Sequence, residues 1–202
     1  IFIYANVGYS SLPPSNSRAF FSFGLLKSKF KFVAGVAGVA LISMLLTQSD
    51  KVILSSKVEL SDFGIYALAT TMAGTLVLLV TPISQAFFPR FCSFYAATDM
   101  QGFSSEFHLA AQITTLVCAP LLFILFLFAS PITFAWTNDQ ALTESIVPIF
   151  RILLVGSFFN CMLIVPAQCY YATGIIAPLL KILVVSFLFL FPFLLLLIPL
   201  YQ

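Results

Sequence analysis

Residues 32–54 read FVAGVAGVALISMLLTQSDKVIL. From Phe32 the chain carries no charged side chain until Asp50. A helix crosses a hydrocarbon core with about 20 mostly apolar residues, and here the polar residues collect at the far end. The stretch therefore predicts a membrane-spanning helix. Ala34 and Gly38 are small residues at a spacing that lets helices approach closely. On an ideal helix Ser43, Thr47 and Asp50 share a face, and Gln48 with Lys51 forms a second pair beside it.

The rest of the chain repeats that pattern. Apolar stretches at about 63–88, 109–128, 146–170 and 175–200 are also long enough to span. Hydrophobic residues make up 61% of the 202 residues, charged residues 8%, and the mean hydropathy is +1.09. A soluble domain carries about a quarter charged residues, so this chain cannot coat itself for water. The expected fold is an all-α integral membrane protein, a polytopic bundle of about five transmembrane helices over 32–202. Residues 1–31 read as the tail of a preceding span, a Pro13-Pro14 turn and a basic linker leading into the first span. The chain starts at Ile1 and stops just after an apolar run, and the expectation is a piece of a longer membrane protein.

Charge sets orientation. Arg18, Lys27, Lys29 and Lys31 precede the first span, Arg90 follows the second, and Lys181 lies near the start of the fifth. Alternating spans put all six on one side, which the positive-inside rule makes cytoplasmic. The other side has Lys51 and Lys57 together with Glu59, Asp62, Asp139 and Glu144. Trp136 and Phe134 fit an aromatic belt there.

Polar residues inside the spans are the candidates for function. Thr71, Thr75, Pro82 and Gln85 line up on the second span, and Ser157, Asn160 and Gln168 on the fourth. Such stripes line a wet interior, or they hydrogen-bond between helices as in any bundle. Asp50 sits about 27 Å along its helix from Phe32, near the outer boundary. It reads as a cavity acid or ion site, or as an interfacial acid paired with Lys51 or a neighbouring helix. Arg151, on the fourth span, points away from Asn160 and either snorkels to the outer interface or serves a cavity. Lys181 has the same two readings at the cytoplasmic end. Prolines 82, 120, 148, 166, 178 and 192 permit kinks that suit alternating access.

Several classes find no support. No metalloprotease, P-loop, nucleophile-elbow or dinucleotide motif is present, His108 reads as a loop residue, and the basic residues are juxtamembrane. The reading is therefore no enzyme, no catalytic residue, no cofactor, no metal and no nucleic-acid partner. Cys92, Cys118, Cys161 and Cys169 form no C-x-x-C and read as free thiols; Cys161 and Cys169, about 12 Å apart on one helix, are too far apart to bridge.

Certain segments carry a resemblance. Gln48-Ser49-Asp50-Lys51-Val52-Ile53-Leu54 closes one span, and Phe63-Gly64-Ile65-Tyr66-Ala67-Leu68-Ala69 opens the next. Thr81-Pro82-Ile83-Ser84-Gln85-Ala86-Phe87-Phe88-Pro89-Arg90 follows, then Gly156, Asn160, Pro166-Ala167-Gln168 and Ala172-Thr173-Gly174. In this order and spacing the chain resembles the polysaccharide biosynthesis (O-antigen type) flippases of the multidrug/oligosaccharidyl-lipid/polysaccharide exporter superfamily. The resemblance implies two bundles of about six helices around a central cavity, with this chain at the start of the second. It implies a multi-pass protein of the bacterial plasma membrane that flips undecaprenyl-pyrophosphate-linked oligosaccharide, in contact with membrane lipids and the first bundle of the same transporter. The substrate path would then draw on Asp50, Gln48, Gln85, Arg90, Arg151, Asn160, Gln168 and Lys181. A drug or metabolite/cation antiporter of the same superfamily is the alternative, with Asp50 as its acid. A membrane-embedded glycan polymerase or ligase would need a large outer loop, and these outer loops are short.

Overall fold

A computed structural model describes residues 23–197. The tail and Pro13-Pro14 turn expected before Phe23 lie outside the described residues. The helices are α1 (Phe23–Ser55), α2 (Leu60–Ala73), α3 (Thr75–Ala96), α4 (Met100–Leu127), α5 (Ala129–Thr137), α6 (Gln140–Thr173) and α7 (Ile176–Leu197). No strand occurs among the described residues, and the chain is an all-α, multi-pass membrane protein. Four segments are long and apolar enough to cross a membrane: Phe32–Ser55, Leu60–Ala96, Met100–Leu127 and Gln140–Thr173. A shorter apolar helix over Ile176–Pro192 follows them.

Local chemistry explains the helix ends. Between α2 and α3 only Gly74 interrupts, with φ −64° and ψ −17°, and its backbone bonds to Thr70 and Leu78 let the two run on as one rod. At Ala97–Asp99 the chain reverses: Asp99 caps α4 by accepting from the Gly102 amide at 2.9 Å. This hairpin is tight, since a Cβ on Gly102 would come within 2.5 Å of the Phe94 ring. The stretch between α4 and α6 is helical too: α5 ends at Asn138 in the left-handed region (φ 51°), and Asp139 caps α6 through the Leu142 amide. Gly174 (φ 72°) ends α6.

Helix α6 is the central post of the bundle, packed against α2, α3, α4 and α5. Leu76, Val80, Cys118, Ala129, Ile146, Phe150, Leu154 and Cys161 form its core, with almost no exposed surface. A second cluster of Phe87, Phe91, Ala110 and Val165 lies toward the α3–α4 hairpin. Apart from this bundle stand α1 and α7, packed mainly on each other. A Cβ built on Gly35 falls 3.3 Å from Ile176 Cγ2 and one on Gly38 falls 3.4 Å from Leu180 Cδ1. The pairing advances in the same direction on both helices, so α1 and α7 run parallel. Large side chains such as Leu41, Phe123, Ile152 and Phe189 are exposed, as lipid-facing residues are in a chain of this composition.

Candidate functional site

Three side-chain contacts fix the register of the rods. Arg90 Nη2 on α3 meets Glu106 Oε1 on α4 at 2.6 Å. Thr115 Oγ1 on α4 lies 3.5 Å from Met162 Sδ on α6. Arg151 Nε on α6 donates to the Phe126 carbonyl at 3.3 Å, its guanidinium 5.4 Å from the Phe126 ring centroid. Glu106 and Phe126 are about 30 Å apart along α4 at 1.5 Å per residue, the thickness of a hydrocarbon core. The Arg90–Glu106 pair thus stands at one edge of the apolar slab and the Arg151–Phe126 contact near the other. The first edge is also where α1 carries Lys27, Lys29 and Lys31, and it is the basic end of the molecule.

At the opposite end, Tyr66 on α2 donates its hydroxyl to Asp50 Oδ2 on α1. The other oxygen, Asp50 Oδ1, is buried and has no hydrogen-bond partner. Tyr66 precedes Arg90 by about 36 Å along the α2–α3 rod. This hydrogen bond ties the α1/α7 pair to the bundle.

The remaining sequence candidates are dispersed. Gln48 is exposed on α1, Gln85 on α3, Asn160 on α6 and Lys181 on α7, while Gln168 is half-buried. Among the described residues no hydrogen bond joins them to one another. Gln85 stands on the face of α3 opposite the buried Leu76, Val80, Ser84, Phe87 and Phe91, and Asn160 flanks the α6 stripe of Ile146, Phe150, Leu154, Cys161 and Val165 at about a right angle. The threonines of the stripes turn inward to their own backbone. Thr47 donates to the Ser43 carbonyl, Thr71 to Ala67 and Thr75 to Met72. That is local satisfaction of a hydroxyl in a helix. Arg151 caps one of the last carbonyls of α4, which have no helical donor of their own. All four cysteines are free, and Cys118 and Cys161 are buried in the same cluster. No His, Cys, Asp and Glu group suited to a metal ion occurs among the described residues.

Glu106 is the residue the sequence reading missed, and His108 is a correction. The sequence reads His108 as a loop residue and starts the third apolar stretch at about 109, but α4 begins at Met100 and includes both residues. The first turns of a helix that starts outside the hydrocarbon are polar, and an apolar-run criterion leaves them out. A periodic signal was available: Glu106, Ala110, Thr114 and Cys118 recur every fourth residue and form the buried stripe of α4. Glu106 Oε2 and Thr114 Oγ1 on that stripe are buried without a partner. His108, Gln112 and Thr115 lie on the other side, lining an open groove of about 410 Å³ with Ala111 and Leu116.

The family described as polysaccharide biosynthesis protein matches the chain over residues 4–141. A Shigella flexneri protein named for O-antigen transport is 23% identical over 158 residues. That alignment takes in 78% of this chain and 37% of the relative, so the chain spans little more than a third of that protein's length. No solved structure matches the chain.

Proposed function

The chain belongs to the polysaccharide biosynthesis protein family, and from that membership we propose that it is part of a flippase for lipid-linked oligosaccharide. The substrate would be an undecaprenyl-pyrophosphate-linked glycan, carried to the outer leaflet of the bacterial plasma membrane for surface polysaccharide synthesis. Residues 32–202 would contribute helices of the second of two bundles, residues 1–31 the basic linker before it, and the first bundle the opposing wall. No covalent step is required of the protein.

The observation that carries this reading is the placing of charge along the rods. A diphosphate headgroup cannot enter hydrocarbon bare and needs a cation where it leaves the cytoplasmic leaflet. Arg90 is a half-exposed guanidinium at the basic edge, and Lys181 is exposed in the first turns of α7. Gln85 and Asn160, both exposed, would offer amides to sugar hydroxyls. The antiporter alternative rests on Asp50, whose buried Oδ1 has no partner and could take a proton or cation.

Leaflet-resolved detection of lipid-linked oligosaccharide tests both readings in the intact protein at matched expression. Arg90→Gln and Lys181→Gln are expected to lower flipping several-fold, and Asp50→Asn to impair transport more than expression. Normal flipping in both cation variants would remove Arg90 and Lys181 from the substrate path.

A further inference from the structure

We infer that Glu106 is a built-in competitor for Arg90, and that a phosphate-bearing lipid headgroup docks on Arg90 by displacing it while Glu106 takes up a proton. The inference rests on the reading that Arg90 meets the headgroup.

The two partners are unequal. The Arg90 side chain is 54% exposed and that of Glu106 only 10%. Arg90 is within reach of a ligand at the basic edge, whereas Glu106 is held on the inner stripe of α4 beside the Phe87–Phe91–Val165 cluster. One carboxylate oxygen takes the guanidinium and the other, Oε2, is buried with no partner. A guanidinium offers a fork of donors that fits a phosphate as well as a carboxylate. The cation also rests 5.7 Å from the Phe87 ring centroid, a contact that tolerates a change of anion.

When a phosphate takes Arg90, the carboxylate stays behind in an apolar wall. A buried charge with no counter-ion is costly, and a carboxylate escapes that cost by protonation. The proton comes from water at the basic edge and bonds to a carboxylate oxygen, leaving Glu106 neutral. The titratable or charged groups that neighbouring elements bring to this level are Arg90, Cys92 and Tyr95 from α3, with Cys169, Tyr170 and Tyr171 from α6. Arg90 is the cation among them. His108, on α4 itself, is exposed on the other side of the helix. Docking coupled to uptake of a proton makes headgroup affinity rise as pH falls, by up to about tenfold per unit.

Calorimetric titration of the solubilised intact protein with farnesyl diphosphate, and with inorganic pyrophosphate as the headgroup alone, tests this. Repeating each titration in two buffers of different ionisation enthalpy counts the protons. The wild-type protein is expected to take up about one proton per diphosphate. Glu106→Gln keeps the shape and removes the competing charge, so it should bind about tenfold tighter at pH 8 and lose the proton uptake. Weaker binding in Glu106→Gln would make the residue a positioning group for Arg90 and overturn the inference. An absence of proton uptake by the wild-type protein would do so without any variant. Arg90→Gln separates the two readings: undiminished binding there refutes the placing of the headgroup itself, and lost binding with unaltered Glu106→Gln refutes only the competitor.

Discussion

The α2–α6 bundle and the α1/α7 pair are made of the same apolar residue types, but they are held together differently. In the bundle, Leu76, Phe91, Ile146, Phe150 and Leu154 are wholly enclosed, and α6 touches every neighbour. In the pair, α1 encloses Val39, Ser49 and Ile53 and leaves Leu41, Met44, Leu45 and Val52 more than half exposed. Its cohesion comes from notches at Gly35 and Gly38 that admit Ile176 and Leu180. Lipid is as apolar as leucine, so greasiness alone joins no two helices; close packing does. The bundle fills space with large interdigitating side chains, while the pair brings backbones together over missing ones.

The sharpest way to break this comparison is to empty a place in the bundle. Phe150→Ala removes a ring that is 1% exposed and is expected to cost about 3–5 kcal/mol. Thermal unfolding in detergent should show a lowered transition for this variant. An unshifted transition would mean that the core is loosely filled.

That contrast also shows what the sequence could convey. Apolar runs of spanning length are read directly from composition, which is why 32–54 points to a spanning helix on first inspection. Which face of a run meets which neighbour depends on complementary shape, and the hydrophobic period is weak when every face is apolar. Gln85 and Asn160 illustrate the limit: the sequence puts each on a polar stripe of its own helix, but their exposure follows from packing of α3 on α6. Glu106 was hidden for a different reason. A charge beside a span looks like the end of the span unless helix continuation is judged from the Asp99 cap instead.

The pair responds to a smaller perturbation in the opposite sense, addition rather than removal. Gly35→Leu forces atoms against Ile176 and is expected to cost about 1–3 kcal/mol. The readout is oxidative cross-linking between cysteines introduced at positions 38 and 180, which should fall several-fold. If cross-linking is undiminished, the glycine notch does not hold the pair.

The least effect is expected on the open side of α1. Leu41 is 64% exposed, and Leu41→Ala should change stability by roughly 0.5 kcal/mol or less, measured by the same thermal unfolding. A large loss would show that another surface covers that side.

The length of α6 has a consequence for the membrane as a whole. From Gln140 to Thr173 it is a rod of about 51 Å. Even inclined at about 40°, the steep end of what such helices adopt, it projects about 39 Å along the bilayer normal, more than a hydrocarbon core of about 30 Å can hide. Some of it must therefore stand among headgroups or in water, whatever the lipid. Mismatch penalties fall on rods that are too short or whose greasy part is too long, and a rod with polar margins at both ends can slide to suit its surroundings. A protein built on such a post would keep its register in thin and thick membranes alike, with the bilayer setting only how much of each margin is wet.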